Sequence, residues 1–422
     1  MKERLLVGLD VGTSCVRLVA GQLGVTPDRR PSLNIIGAVE TSSAGIAKGA
    51  ISSLEDAVAS ISACLEQAER VIGAPIREAA VGVGGAFISA QNSRGVIGVS
   101  RTDGDIRGED VQRAVEAAKA VINPANQEII HVLPRGFSVD GQQGIKDPVG
   151  MQGIRLEVDA LLIQGLSSRI KNLTKAVFRT GLDITELVYA PLALGEAVTT
   201  SKQREVGVCV LGIGASTTGV AVYENGELLH AATIPIGADH ITSDLAIGLR
   251  VSLDVAEQLK RAHGQAVAET VPKRAPEIEL DPYGAPGETV APRFMAEIVE
   301  ARAEELFEKV DQELKKIDRE GLLPSGILLA GGGSKLPGMV DVAKRVLRLP
   351  CAVAQSNPVP TSMPEALQDP AFATAVGLVL WSFEAERRAE ERGSHGGSAA
   401  RTGEWASKAA APFKKLFKSF LP

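Results

Sequence analysis

Short apolar, β-prone runs recur along the chain, and several of them end in clusters of small and polar residues. The first pair of runs, residues 5–9 and 16–20, predicts a hairpin of two strands around a tight turn. Glycine in such a turn lets backbone N–H groups approach an anion, and hydroxyl groups add donors. A carboxylate at the end of the first strand would face the same place and could hold a hydrated Mg²⁺. The candidate residues are Asp10, Gly12, Thr13 and Ser14, with Asp10 as the metal ligand.

Taken alone, this stretch fits an ordinary hairpin with a polar turn equally well, but two later stretches favour a binding site. Residues 206–223 repeat the plan of strand, small-residue turn and strand, and residues 326–338 predict a strand that runs into glycines and then a helix. The candidate ligands there are Gly214, Ala215, Ser216, Thr217, Gly331, Gly332, Gly333 and Lys335. The chain has no G-x-x-x-x-G-K-[ST] loop and no strand–GxGxxG–helix unit, which argues against P-loop and Rossmann sites.

Two strand–turn–strand motifs followed by a late glycine patch resemble the actin, Hsp70 and sugar-kinase superfamily. The resemblance implies that the two hairpins grip the phosphates of ATP, with Mg²⁺, from opposite lobes. It also implies that the late glycines let the backbone lie against the adenosine. Each motif is weak alone, whereas all three in this order are fairly specific.

Helical periodicity predicts most of the remaining elements. Residues 54–72 carry an apolar stripe, with Ser52 or Ser53 as N-cap and Gly73 as the terminator. Further predicted helices cover residues 108–122, 168–181, 192–199, 253–263, 294–316 and 372–380, and predicted strands cover 34–39, 79–84, 87–99, 128–134, 137–140, 156–163 and 183–189. Residues 275–291 are rich in proline, glycine and acidic residues, which predicts a loop or a short exposed hairpin.

The stretch from residue 85 to residue 163 predicts a small α+β unit of its own. Its segments His-Val-Leu-Pro at 131–134 and Gly-Ile-Lys-Asp-Pro-Val-Gly at 144–150 closely resemble the extra subdomain of the bacterial cell-division protein FtsA. The resemblance continues on both sides and covers nearly the whole chain, so the sequence is identified as a member of the FtsA family, in the FtsA/MreB branch of the superfamily.

This resemblance implies an α/β, actin-like (ribonuclease H-like) fold with two lobes, an FtsA-type extra α+β subdomain and a C-terminal amphipathic helix. The implied first lobe comprises residues 1–84, 164–203 and part of 370–383, with the extra subdomain at 85–163. The implied second lobe comprises 204–237 and 322–369, with its own inserted subdomain at 238–321. A flexible linker is expected at 384–404 and a membrane-targeting helix at 405–422.

Composition limits the class of protein further. A length of 422 residues calls for two or more domains, and the net charge of −6 argues against a general nucleic-acid binder. The four cysteines lie far apart in apolar surroundings, as small buried thiols do, and no Cys/His group has metal-ligand spacing. The N-terminus does not have the pattern of a signal peptide, because charged residues lead into a short apolar run that meets Asp10 at once. We therefore expect a soluble, cytoplasmic body.

The last eighteen residues predict a membrane-binding helix. Five large apolar residues fall at helical spacing on one face, lysines lie to the other side, and no acidic residue follows Glu404. The predicted membrane-binding residues are Trp405, Phe413, Lys414, Lys415, Leu416, Phe417, Lys418, Phe420 and Leu421. The alternative, a helix docked on its own core, explains neither the lysines nor the preceding tether. FtsA proteins end in the same way.

The FtsA resemblance also implies function and partners. It implies an ATP-binding scaffold that polymerises with itself, binds anionic lipid on the cytoplasmic side of the inner membrane at the septum, and tethers FtsZ. The C-terminal peptide of FtsZ would contact the 294–316 helix, with Arg293 and Arg302 as candidate partners of its carboxylates. The alternative is that Arg302 is simply one charge on a solvent-exposed face of this helix. Other divisome proteins would bind through residues 85–163.

Two rival functions stay open at this point. One is an enzyme of the same superfamily, a sugar kinase or chaperone ATPase, although the chain shows neither a good catalytic aspartate between the hairpins nor room for a peptide-binding domain. The other is an actin-like adaptor of the type IV pilus system. The basic amphipathic tail and the wording at 144–150 speak against that adaptor.

The second hairpin departs from the superfamily pattern. Gly212 stands where its first strand usually carries an aspartate, in wording such as Asp-Ile-Gly-Gly-Gly-Thr. Because the positioning of metal and water supplies most of phosphoryl-transfer catalysis, we expect ATP to bind but its hydrolysis to be very slow or absent. The alternative is that a nearby carboxylate substitutes, with Glu196 and Asp239 as candidates.

Overall fold

In the part of the chain that the structure describes, the strands form two large sheets, one smaller sheet and two short hairpins. The computed structural model describes residues 4–25, 31–100, 103–121 and 126–394. Within them the strands are β1 Arg4–Val11, β2 Cys15–Val25, β3 Pro31–Ser42, β4 Ile46–Ala47, β5 Ala50–Ile51, β6 Glu78–Val83, β7 Ile88–Gly98, β8 Gln127–Val139, β9 Gln142–Ile145, β10 Arg155–Leu166, β11 Asp183–Tyr189, β12 Val208–Ile213, β13 Thr218–Glu224, β14 Glu227–Ile234, β15 Ile278–Glu279, β16 Thr289–Val290, β17 Ile327–Ala330 and β18 Cys351–Val353.

The helices pack on these sheets and between them. They are α1 Leu54–Ile72, α2 Gly108–Val121, α3 Ser167–Arg179, α4 Ala190–Val198, α5 Ser201–Val206, α6 Ala238–Leu249, α7 Leu253–His263, α8 Pro292–Lys315, α9 Met339–Leu347, α10 Pro364–Gln368 and α11 Ala373–Ser394, with short 3₁₀ turns at Ala268–Thr270, Asp281–Tyr283 and Gly332–Lys335. Across the described part of the chain, none of these helices combines the length and the apolar character that a membrane span requires.

The two large sheets share one arrangement of strands. The sheet of the first lobe has the order β3-β2-β1-β6-β11, and that of the second lobe has the order β14-β13-β12-β17-β18. In each sheet three antiparallel strands are extended on one side by two parallel strands. The chain thus builds the same unit twice, with an equivalent hairpin at the centre of each sheet.

The third sheet, β7-β10-β8-β9, belongs to the segment between β6 and α3 and packs on α2. We call it the inserted sheet. Toward α2, Leu156 and Leu162 of the sheet form a cluster of their own with Val115 of that helix, whereas Ile88 and Ile163 of the sheet belong to the core of the first lobe.

Helices α4 and α11 cross in close contact between the two large sheets. A side-chain carbon added at Gly377 of α11 would lie 1.8 Å from the carbonyl oxygen of Ala193 in α4, so only glycine allows this approach. Each of these helices also packs closely on a sheet: Gly8 of β1 faces the backbone of Ala375 in α11, and Gly219 of β13 faces Pro191 in α4. The two lobes therefore meet through a pair of helices packed at backbone distance.

Several predicted elements are confirmed to the residue. Helix α1 begins after Ser53, whose hydroxyl accepts the backbone N–H of Asp56, and ends at Gly73 with φ +73°. The predicted strand at 183–189 and helix at 253–263 are also found with these bounds. The predicted exposed hairpin at 275–291 contains the short pair β15–β16. All four cysteines are free, and Cys64, Cys209 and Cys351 are buried.

Two predictions at element boundaries are wrong. The predicted strands 128–134 and 137–140 are one strand, β8, whose register against β10 shifts at Arg135. Pro134 cannot donate to a sheet ladder, and the bulge beside it lets the strand continue. The predicted linker at 384–404 begins too early, because α11 continues through Ser394. Pairs such as Glu384 and Arg387, 2.6 Å apart, stabilise a helix where the charge density suggested a linker.

Candidate functional site

The turns of the two central hairpins face each other across one cleft between the lobes. Each turn is closed by the same hydrogen bond: the N–H of Gly12 donates to the carbonyl of Cys15 (3.1 Å), and the N–H of Gly214 donates to that of Thr217 (2.9 Å). The turns thus have the same backbone plan. We call the β1–β2 turn the first clamp and the β12–β13 turn the second clamp.

The strand register makes Asp10 and Gly212 equivalent positions. Each residue stands two places before the turn glycine, at the end of the first strand of its hairpin. Asp10 lies opposite Arg17 in β2 and beside Gly82 in β6, and Gly212 lies opposite Gly219 in β13 and beside Ala330 in β17. The strand register therefore confirms the equivalence of Asp10 and Gly212 that the sequence predicted.

Most of the predicted ligands of the phosphates and adenosine come together in this cleft. The predicted residues that line it are Asp10, Gly12, Thr13, Ser14, Gly214, Ala215, Ser216, Thr217, Gly331 and Gly332. Two others are placed elsewhere among the described residues: Gly333 is buried against the side chain of Ile213, and Lys335 is ion-paired with Asp369 at 2.8 Å. The backbone of the glycine patch, rather than its lysine, borders the cleft.

The cleft fits a phosphate group because its glycines expose the backbone to a ligand. An added carbon at Gly332 would meet no atom within 4 Å, so this backbone is open to a ligand. Gly331 has φ +83°, and a side chain there would collide with the backbone of Ile213. The volume of the cleft is about 140 Å³, below the several hundred Å³ typical of a whole small-molecule site.

Asp10 supplies a carboxylate to the cleft. Burial raises its pKa above the usual 3.8, and the guanidinium of Arg17 partly offsets this effect. Arg17 itself is held by Glu40, at 2.6 Å, and lies over the ring of Phe372. In the described ranges no three histidine, cysteine or acidic side chains gather into a metal site. One carboxylate suits Mg²⁺, which keeps several waters and takes further ligands from phosphates.

The second clamp is braced by the start of helix α6. The N–H groups of Ala238 and Asp239 donate to the carbonyls of Gly214 and Ala215, at 2.9 and 2.8 Å. The carboxylate of Asp239 accepts a long hydrogen bond from Ser216, at 3.4 Å. Of the two carboxylates suggested as substitutes for the missing aspartate, Asp239 therefore contacts the clamp.

Glu196 is placed differently. Its carboxylate is paired with Arg204 at 2.8 Å, and Arg204 also lies over the ring of Tyr223. Glu196 is not among the described residues that line the cleft. At Gly212 an added side-chain carbon would lie 2.9 Å from a δ-methyl of Leu194, so an aspartate there would require that methyl to shift.

Several lining residues were missed by the sequence analysis. Arg17 could have been found from the hairpin register, because residues directly opposite in an antiparallel pair share a face. Gly84 and Gly85 follow β6 as Gly331 and Gly332 follow β17, so the internal repeat would have revealed them. Thr233 lies opposite Gly219 in the register of β14 against β13, and it was missed because no strand was predicted at 227–234.

The two arginines proposed for a partner peptide lie on or beside α8. Arg302 makes a two-pronged ion pair with Asp244 of α6, with Nη2 2.8 Å from Oδ1, and a second pair with Glu305. Arg293 lies near Glu297 (3.5 Å) and the carbonyl of Val271 (3.4 Å). Arg302 thus joins two helices of the second lobe, which favours the structural role for it. The predicted membrane-binding residues 405–422 lie outside the described residues.

Comparison with known proteins decides the family. The profile of the cell division protein FtsA matches residues 209–377, and that of the SHS2 domain inserted in FtsA matches residues 85–164. The cell division protein FtsA of Bacillus subtilis is 38% identical over 384 residues, which cover 90% of this chain and 84% of that protein. The chain belongs to the FtsA family.

Solved structures confirm the actin-like fold. A chain of the PilM–PilN type IV pilus biogenesis complex aligns with a TM-score of 0.65 at 18% identity, covering 90% of this chain and 98% of that one. MreB5 of Spiroplasma citri, bound to ADP, aligns with a TM-score of 0.52 at 11% identity, covering 92% and 98%. These likenesses concern the fold, whereas the sequence relatives separate this FtsA-family chain from the pilus adaptor.

Proposed function

We propose that this chain is an ATP-binding cell-division scaffold that polymerises, binds the inner membrane through residues 405–422 and tethers FtsZ. The observation that carries the nucleotide part is the pair of equivalent clamps facing one cleft. Membership of the FtsA family carries the division role. The domain boundaries given above, apart from the start of the linker, and the recruitment of divisome proteins by residues 85–163 are parts of this proposal.

Each clamp would hold phosphates with its own backbone. The N–H groups around Gly12 to Ser14 and around Gly214 to Thr217 would donate to phosphate oxygens from opposite sides, and the hydroxyls of Thr13, Ser14, Ser216 and Thr217 would add donors. Asp10 would hold the hydrated Mg²⁺ that neutralises part of the phosphate charge. The open backbone at Gly331 and Gly332 would admit the adenosine side of the ligand.

The nucleotide would act as a structural part of the molecule. Because each lobe contributes one clamp, a ligand held by both stabilises the arrangement in which the lobes are close. Since the volume of about 140 Å³ is small for a nucleotide, the clamps would have to lie farther apart when ATP enters and would then close on it. MreB5 of Spiroplasma citri, which has this fold, is bound to ADP.

The proposal is tested by calorimetric titration of the full chain with ATP in the presence and absence of Mg²⁺. Asp10→Asn should weaken Mg²⁺-dependent binding at least tenfold and leave Mg²⁺-free binding nearly unchanged. Asp183→Asn, on the outer strand of the same sheet, is the matched control and should bind normally. Equal Mg²⁺-dependent affinities in all three chains would contradict the assignment of Asp10, and no binding to the unaltered chain would refute the nucleotide site.

A further inference from the structure

The inserted sheet contacts both lobes, although it is covalently part of the first. Its strands β7 and β8 pack on β14, the edge strand of the second lobe's sheet. Arg135 of β8 makes the main polar contact: its guanidinium donates to the carbonyl of Leu229 at 2.9 Å and to the side chain of Asn92 at 2.8 Å. Lys146 adds a longer hydrogen bond to the carbonyl of Asn225, at 3.4 Å.

Both partners in the main contact lie at irregularities of their strands. The register of β8 against β10 passes from Gly136 to Pro134 and omits Arg135, and that of β14 against β13 passes from His230 to Leu228 and omits Leu229. A residue in a bulge is not paired in the hydrogen-bond ladder of its strand, so its side chain or carbonyl can point in a different direction. Two bulges therefore meet at this contact, where regular strands would present neither group.

A second connection lies four residues away on each strand. His131 of β8 accepts the backbone N–H of Tyr189 on Nε2, at 3.0 Å, and the hydroxyl of Tyr189 is hydrogen-bonded to that of Thr233 in β14, at 3.0 Å. His131 and Tyr189 are buried, and Thr233 lines the cleft. Tyr189 ends β11 of the first lobe, so all three parts of the molecule meet at this one side chain.

We infer that this junction, formed by His131, Arg135, Tyr189, Leu229 and Thr233, positions Thr233 at the cleft and couples nucleotide occupancy to the placement of the inserted sheet. The inference rests on the proposed function. Separation of the lobes moves β14 away from β11 and β8 and breaks both connections. The junction and a ligand held by both clamps therefore favour the same arrangement of the lobes, and by linkage each strengthens the other.

Nucleotide affinity tests the coupling with residues that do not act as ligands in the clamps. Tyr189→Phe removes only the hydroxyl that reaches Thr233, and Arg135→Ala removes the contact with Leu229. Each should weaken binding of a fluorescent ATP analogue with Mg²⁺ to the full chain about fivefold, at the low end of ordinary coupling between sites. Affinities equal to that of the unaltered chain would overturn the inference.

Matched controls separate coupling from general damage. Tyr283→Phe removes a tyrosine hydroxyl that is hydrogen-bonded to His263 at 2.8 Å, within the second lobe and away from the inserted sheet. Arg94→Ala removes an arginine from the inserted sheet that pairs with Glu157 within that sheet. Both should bind the analogue within twofold of the unaltered chain. A fivefold loss in these controls as well would mean that the effect is not specific to the junction.

Hydrogen exchange of the full chain supplies the second readout. With the analogue bound, amides of both clamps and of β8 should exchange more slowly. In Arg135→Ala, saturated with the analogue, the protection of the clamps should remain and that of β8 should be lost. Protection of the clamps without any change in β8 of the unaltered chain would refute the coupling alone. Failure of the analogue to bind the unaltered chain would refute the proposed function with it.

Discussion

At the scale of single residues, one indole contacts two titratable groups, a buried histidine and a half-buried glutamate. Trp381 of α11 packs beside His131, with ring centroids 5.6 Å apart, and is hydrogen-bonded to the carboxylate of Glu186. Burial lowers the pKa of His131 to about 4 and raises the pKa of Glu186 to about 7. Each group is thus neutral at pH values where it would be charged in the unfolded chain. As the pH rises, the contribution of His131 to the free energy of unfolding increases and that of Glu186 decreases.

His131 should make the fold sensitive to acid. Its pKa in the fold lies below the unfolded value of 6.5, so its contribution is fully present above pH 6.5 and is lost as the pH falls toward 4. Between pH 7 and pH 5 this amounts to about 2 kcal/mol of unfolding free energy. Urea unfolding at these two pH values should show that His131→Gln, which keeps an acceptor for the Tyr189 N–H, removes this part of the pH dependence. An unchanged pH dependence would contradict the burial argument.

Glu186 should act in the opposite direction. Its pKa in the fold lies above the unfolded value of 4.5, so its contribution is fully present below pH 4.5 and is lost as the pH rises through 7. Glu186→Gln retains an acceptor for the indole and cannot ionise. It should stabilise the chain by up to about 3 kcal/mol at pH 8 and by about 1 kcal/mol at pH 5. A gain of the same size at both pH values would rule out ionisation as its source.

The prediction of slow ATP hydrolysis depends on Gly212. The cleft has the carboxylate of Asp10 on the first clamp, whereas the equivalent position on the second clamp is Gly212, which has no side chain. A phosphate-release assay under polymerising conditions should therefore show little or no turnover. Turnover of several per minute that is lost in Asp10→Ala would mean that the site is a working ATPase. Its loss in Asp239→Asn as well would assign the missing role to Asp239.

At the scale of elements, the crossing of α4 and α11 depends on Gly377. Gly377→Ala would force the two helices apart, because the added methyl would lie 1.8 Å from a carbonyl oxygen. Overpacking of this kind costs about 1–3 kcal/mol or more, which exceeds the gain of up to about 1 kcal/mol from alanine in a helix. Thermal unfolding should show a lower midpoint for Gly377→Ala. Gly98→Ala, which meets no atom within 4 Å, should leave the midpoint nearly unchanged.

The predicted C-terminal helix has its own test in co-sedimentation with lipid vesicles. Phe417→Glu places a charge on the predicted apolar face and should abolish binding to vesicles of any composition. Lys415→Glu leaves that face intact and should weaken binding only to anionic vesicles. If the Phe417→Glu chain co-sediments with vesicles as the unaltered chain does, the membrane-binding prediction is wrong.

At the scale of the whole molecule, membrane binding and polymerisation should reinforce each other. A single short amphipathic tail binds weakly and reversibly, whereas many tails on one filament bind firmly through their effective concentration. Electron microscopy on anionic lipid monolayers with ATP should therefore show filaments on the lipid, and removal of residues 405–422 should abolish them there. Filaments on lipid without these residues would show that another surface binds the membrane.

The sequence by itself determined the local elements and the family. Capping by Ser53 and the terminator Gly73 define both ends of α1, because these signals act within one helical turn. The two hairpin turns and the glycine patch were recognisable for the same reason, since each is a continuous stretch with its own backbone plan. The alignment of Gly212 with Asp10 also followed from the sequence, because both lie at a fixed distance from a turn glycine.

Tertiary structure decided which residues share a site. Thr233, Arg135 and Tyr189 lie far apart in the chain, and their contacts depend on how the lobes and the inserted sheet pack. Packing within the second lobe places Lys335 against Asp369 and Arg302 against Asp244, each outside the cleft. A pattern of residues records which groups a segment can offer. Only the three-dimensional fold determines which of these groups face a ligand and which are already bound to a neighbour.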